Sequence, residues 1–236
     1  VEIEKQKLKE LIASEINNKR ARCIRQAQRR FFEGEQDLGV ERYGYLEEVD
    51  AITPQRLYEA YQKLLSLARI EIFAIGCDPV MLEQAFHTGF DLQGRAPVPP
   101  AGPVALAPGQ LRRFEEPVDA VQGKLCLLFT TGAVLPPEQR GVMRVAMAVF
   151  GSSPTSRLFM NVREKLSLCY YCAAQFSSQC SYVQVDSGVE HENAQKTIDA
   201  ILSELRSLVE AGASEEEVLE VKEAALADVW RILVIC

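Results

Sequence analysis

Residues 150–171 read FGSSPTSRLFMNVREKLSLCYY, and the order of residue types in this stretch sets the fold around it. A helical pattern running from Pro137 to Phe150 is stopped by Gly151, the residue type that most readily leaves a helix. A second helix is expected from about Ser153 to Leu166, followed directly by a strand over Cys169–Phe176. Working outward, Lys124–Thr131 reads as a buried strand and Tyr182–Val189 as another. A helix from Glu192 to Ala211 should stop at Gly212. Ser214 and Glu217 then have the spacing of a capping box for a last helix over 215–232.

The front of the chain follows the same logic. Leu8, Leu11, Ile12 and Ile16, then Cys23, Ile24, Ala27 and Phe31, form a helical stripe over 2–32 with a break near Asn17-Asn18. Thr53-Pro54 opens a second helix, Thr as cap and Pro at the first position, with Leu57, Tyr61, Leu64 and Leu65 as its buried face. The run Ile70–Ile75, IEIFAI, is rich in β-formers and ends at Gly76, so it reads as a strand. Asp78-Pro79 starts a short helix through about Thr88. Six prolines between Arg95 and Pro117 mark a semi-extended linker.

These elements predict an α+β protein, because strands and helices segregate without a regular βαβ alternation. The expected organisation is one segment over 1–94, the linker over 95–118 and a second segment over 119–236. Each is an incomplete antiparallel sheet with helices on one face. The last helix, SEEEVLEVKEAALADVW, resembles the opening one, EIEKQKLKELIASEINNK, as successive repeats would. The opening residues VEIEKQKLKE read as the middle of a helix and not as a signal peptide.

Composition narrows the function. The chain has 236 residues, 47% hydrophobic and 25% charged, in the ordinary globular range. Its formal net charge of −7 disfavours nucleic acid. No apolar run approaches the roughly 20 residues of a membrane span. Lys19, Arg20, Arg22, Arg25, Arg29 and Arg30 form one basic cluster, read as a solvated helix face with partner or acidic-peptide binding as the alternative. Seven scattered cysteines suggest reduced thiols and a cytoplasmic location. Cys169 and Cys172 have C-x-x-C spacing, but in a strand positions three apart point to opposite faces and no second pair follows, which argues against a zinc ribbon or redox site.

Catalytic chemistry is sparse. The two histidines, His87 and His191, belong to neither H-E-x-x-H nor H-x-x-E-H and read as residues of helix ends. The sequence holds no G-x-S-x-G, P-loop or G-x-G-x-x-G. Ser152-Ser153 has no assignable base and reads as a helix start.

Ser156-Arg157-Leu158-Phe159, Arg163-Glu164-Lys165 and Leu168-Cys169-Tyr170 together resemble the insulinase/pitrilysin family of zinc peptidases, the inverted zincins, over about twenty positions. Asp186-Ser187-Gly188-Val189, Leu208 to Lys222, and Gly44 through Gly76 with its Val49, Ile52 and Thr53 extend the resemblance over nearly all the chain except the linker. It is nearest to bacterial members that lack the zinc motif and pair with an active relative.

The family binds zinc through H-x-x-E-H and the second Glu of a Glu-x6-Glu helix. That helix maps onto 2–20, with Glu4 as the first Glu and Leu11 where the ligand should stand. Glu10 and Glu15 lie nearby, but one helical step turns a side chain by about 100°. The resemblance therefore implies no metal ligand and no catalytic residue in this chain, and zinc only if a preceding region carries the motif. It also implies a substrate-holding pair seven residues apart, here Arg163 and Tyr170, which would donate to a peptide carbonyl. The expected role is a non-catalytic subunit that binds peptide or unfolded polypeptide and joins a catalytic insulinase-family partner or itself. An active zinc endopeptidase and a structural scaffold are the alternatives.

Overall fold

The computed structural model of the protein describes residues 1–35, 38–89, 94–99, 101–118 and 120–224. Contacts divide the chain into two compact units. One comprises Val1–Ile12 and Tyr43–Gly102; the other comprises Ala13–Arg42 and the chain from Pro103 onward. The expected helix break falls where the sequence put it. Helix α1 spans Glu2–Asn17 and α2 spans Lys19–Phe31, with the Asn18 side chain accepting from the Ala21 amide as N-cap.

The first unit is helical among the described residues. Besides the start of α1 it contains α3 (Leu46–Val49), α4 (Pro54–Leu67) and α5 (Pro79–Gly89). Thr53 caps α4 by accepting from the Arg56 amide, and Asp78 accepts from the amides of Val80 and Met81 to start α5. Lys9 binds the Asp50 carboxylate at 2.6 Å. After α4 the chain is tied back through Arg95, whose guanidinium donates to the carbonyls of Leu65 and Ala68.

Two expectations fail in this unit. Residues 70–75 form no strand, because no described segment offers the backbone partners a strand requires. Phe73 and Ile75 are almost wholly exposed. Leu57, Tyr61 and Leu64, expected as the buried face of α4, are also exposed, with Leu65 half-buried. Nothing in the described part of the unit covers that face.

The second unit is built on a three-stranded antiparallel sheet, β1 (Gly123–Thr130), β2 (Cys169–Ser177) and β3 (Tyr182–Val189), in the order β1-β3-β2. Alternation along β3 sorts its side chains into two faces. Val183 and Val185 join Phe150, Leu158, Val162, Cys172, Ala174 and Ile201 in the core. That face is covered by α6 (Pro137–Met147), its π-helical continuation Ala148–Ser152, a second π-helix Leu158–Lys165, and α7 (Ala194–Ala211). The helix expected from Ser153 begins late, because Ser153 is extended and a turn to Ser156 precedes it.

The opposite face carries Tyr182, Gln184 and Asp186, and α2 lies over it, packed along β1. Contacts here are mainly polar. The Arg20 guanidinium donates to Asp186 Oδ2 at 2.6 Å and stacks 4.5 Å from the Tyr171 ring centroid. Gln28 Nε2 donates to the Tyr182 hydroxyl and to Gln184 Oε1. Arg22 pairs with Glu116, Arg25 with Glu15, and Arg30 lies over the Phe114 ring. Most charges of the basic cluster are thus engaged within the unit, while Lys19, Arg20, Arg29 and Arg30 stay exposed to solvent.

Downstream of α7, Gly212 stops the helix at φ +76. The capping box forms as expected. Glu217 donates its amide to Ser214 Oγ and its carboxylate accepts from the Ser214 amide. The helix it starts is present from 215 to 224, and its expected continuation lies outside the described residues.

Candidate functional site

The two predicted substrate-contact residues stand on either side of the junction between the second π-helix and β2. Leu158 and Val162, both fully buried, fix the π-helix against the sheet and leave the next residue, Arg163, half-exposed. The Arg163 guanidinium lies 4.6 Å from the Phe159 ring centroid and 3.6 Å from the Glu164 carboxylate. An adjacent exposed pair of this kind holds an arginine only weakly. The chain then closes the π-helix through Leu166 N–H to Asn161 O at 3.0 Å and turns at Ser167, whose φ is +50. Leu168 packs against the core and β2 begins.

Tyr170 occupies a β-bulge. Cys169 pairs with Val189 but Tyr171 pairs with Gly188, so Tyr170 is the extra residue in the ladder. It is 47% exposed, and its hydroxyl donates to Glu190 Oε1 at 2.9 Å. That bond raises the phenol pKa. Arg163 and Tyr170 are therefore each oriented by a different neighbour, and both present polar groups to solvent.

The bulge corrects the reading of the cysteines. Cys169 is opposite Val189 and Cys172 is opposite Ser187, two residues apart on β3 and so on one face. The extra residue cancels the expected opposition of the two side chains. Regular-strand parity could not have revealed this.

Other parts of the motif are structural. Arg157 Nε donates to Glu217 Oε1 at 2.6 Å; Nη2 donates to Glu217 Oε2 and to Gly212 O, both at 2.8 Å. This forked contact clamps the capping box to the start of the π-helix. Sequence reading saw the box but missed its arginine, which lies sixty positions away. Ser152 Oγ donates to Ala174 O, and a backbone contact of this kind is no nucleophile arrangement. The Arg157 guanidinium holds the Glu217 carboxylate down to about 2. A depressed carboxylate stabilises fully above its ordinary pKa of 4.5 and loses that contribution as pH falls toward 2. Glu217→Gln should accordingly flatten the decline of the urea midpoint between pH 4.5 and 2, measured by circular dichroism. An unchanged slope would mean the clamp contributes nothing to stability.

On α1, Glu4 pairs with Lys7 at 2.7 Å, Glu10 accepts from Gln6 and Leu11 presents an aliphatic chain. Glu15 is taken by Arg25. Among the described residues no three His, Cys, Asp or Glu side chains are grouped as a metal site. Of the two histidines, His87 is 3.9 Å from Glu83 within α5, and His191 opens the turn before α7.

The family model described as the peptidase M16 inactive domain matches residues 51–225. The chain belongs to this family. This M16 chain is 27% identical over 180 residues to a probable inactive metalloprotease of Bacillus subtilis, covering 76% of this chain and 42% of that protein. It is 25% identical over 193 residues to an uncharacterized zinc protease of Streptomyces coelicolor, covering 78% of this chain and 42% of that protein. The M16 chain thus spans less than half the length of these curated relatives. Among solved structures, a conserved protein from Enterococcus faecalis superposes with TM-score 0.85 at 23% identity, covering 99% of this chain and 55% of the other. A peptidase M16 inactive domain from Pseudomonas fluorescens superposes at 0.74 and 15% identity, covering 95% and 55%. These likenesses establish the fold. The insulinase/pitrilysin resemblance and the α+β class both stand.

Proposed function

We propose that this chain is the non-catalytic, peptide-holding part of an M16 peptidase-like protein, with Arg163 and Tyr170 donating to the backbone carbonyls of a bound peptide. The observation that carries the reading is the bulge, which lifts Tyr170 out of the ladder and leaves it 47% exposed, seven residues after the half-exposed Arg163. Binding would require the Tyr170 hydroxyl to leave Glu190 Oε1 and turn its one proton to the peptide, while Arg163 would leave the adjacent Glu164 carboxylate. Residues 1–94 and 119–236 are read as parts of two successive peptidase-like repeats joined by the linker. The associating partner is a catalytic M16 subunit or a second copy of this chain. Among the described residues no helix is long and apolar enough to cross a membrane; a cytoplasmic setting belongs to the proposal.

The donor set around α1 does not fit zinc, since Leu11 occupies the position of the family's ligand and Glu4 is paired with Lys7. No chemical step is assigned to a metal here. One observation favours a second reading: the Streptomyces coelicolor relative is described as a zinc protease. On that reading the full-length protein holds stoichiometric zinc through residues outside this chain. Elemental analysis distinguishes the two.

Peptide binding is tested with an unstructured fluorescent peptide library and the full-length protein. Arg163→Gln and Tyr170→Phe should each weaken binding by about tenfold, the effect of one lost hydrogen bond. Unchanged affinity in both variants, with folding intact, would favour a scaffold role.

A further inference from the structure

We propose that Cys169 and Cys172 form a reversible dithiol–disulfide pair across the β-bulge, oxidised by a hydroperoxide and reset by a small dithiol. The bulge is what permits it. Opposite Val189 and Ser187, the two cysteines occupy neighbouring places on one face of β2, although three residues apart in sequence. Their exposures differ in the useful direction: Cys169 is half-buried and Cys172 is 5% exposed. An outer sulfur can meet the oxidant, and an inner one is shielded until it is needed.

The surroundings reinforce the division of labour. A hydrogen bond from Cys172, aided by the Ser187 hydroxyl and the charge of Arg163, brings the Cys169 thiol down to about 7 despite partial burial. The same hydrogen bond and burial push Cys172 up. By contrast, burial pushes up the thiols of Cys23 on α2 and Cys126 on β1. The Ser187 hydroxyl lies close to both sulfurs and also donates to Tyr171 O at 2.7 Å. A thiolate fraction at neutral pH makes Cys169 the attacking sulfur.

The chemistry balances. The Cys169 thiolate attacks one oxygen of hydrogen peroxide; an S–O bond forms, the O–O bond breaks, and the departing hydroxide takes up a proton as water. The Cys172 sulfur then attacks the Cys169 sulfur. The S–S bond forms, the S–O bond breaks, and the second hydroxide leaves as water with the proton lost from Cys172. Two thiols are oxidised by two electrons and one peroxide is reduced to two waters. Thiol–disulfide exchange with a dithiol reverses the change.

Tyr170 lies between the two cysteines in sequence, so closing the bond constrains the bulge that presents it. That consequence for peptide affinity rests on the proposed function; formation of the bond does not. The test therefore reads the bond itself. The full-length native protein is exposed to equimolar hydrogen peroxide, quenched with an alkylating reagent and digested for peptide mass mapping. The 169–172 segment should lose two hydrogens, escape alkylation at both sulfurs and recover on treatment with dithiothreitol. In the reduced protein, Cys169 should alkylate with half-maximal rate near pH about 7 and faster than the exposed Cys77. Cys172→Ser should leave Cys169 as a sulfenic acid captured by dimedone. Oxidation of Cys169 to sulfinic acid with Cys172 still alkylated, or slower labelling of Cys169 than of Cys77, would overturn the proposal. The wild-type measurements stand even if the variant does not fold.

Discussion

Gly151→Ala should destabilise the second unit by about 3 kcal/mol, lowering its thermal midpoint by roughly 10 °C. A Cβ at this position would stand 2.7 Å from Ala174 Cβ and 2.8 Å from both the Ala174 amide nitrogen and Leu158 Cδ1. Two of those three neighbours cannot rotate away, because they belong to the backbone or root of β2. Relief requires the π-turn to lift from the sheet, opening space beside the fully buried Phe150. Gly141 is the matched control. It lies inside α6 with nothing within 4 Å of an added Cβ, so Gly141→Ala should raise stability by about 0.5–1 kcal/mol. Differential scanning calorimetry on both variants checks the pair. Equal shifts in one direction would mean that close packing at Gly151 is not what distinguishes them.

Arg20→Met should cost roughly 2 kcal/mol, a value reduced from the range for fully buried pairs because the Arg20 side chain is half-exposed. The cost arises on the other partner. Asp186 is 4% exposed, and without the guanidinium its carboxylate has lost its ionic partner beneath α2. The Tyr171 ring would also lose a cation from one face, keeping Lys124 at 5.5 Å. Adding Asp186→Leu to Arg20→Met should recover most of the loss, since the stranded charge goes with it. Chemical denaturation of the two single variants and the double gives the coupling. Additive losses would show that Arg20 and Asp186 act independently.

What sequence reading captured was local. The break at Asn18, the Thr53 and Ser214 caps and the three strands of the second unit each depend on residues a few positions apart. The candidate pair Arg163 and Tyr170 was found through motif resemblance, and the structure adds the bulge that displays the tyrosine. What escaped was non-local or depended on an irregularity. The Arg20–Asp186 pair joins positions 166 apart, so a basic helix looked solvated when it was in fact paired. Residues 70–75 had the composition of a strand, but composition supplies no hydrogen-bonding neighbour. One extra residue in β2 reverses the facing of a cysteine that period-two counting puts on the far side.

The two covers of the sheet also differ in what sets their position. On the apolar side the setting is fixed by shape, since the close approach of Gly151 to Ala174 admits the π-turn at one height. On the other side α2 is fixed by its hydrogen-bond partners. Sliding it by one turn would carry Arg20 about 5.4 Å from Asp186 and take Gln28 off both Tyr182 and Gln184. The polar face therefore acts as an alignment key, admitting the helix at one setting and rejecting its near misses.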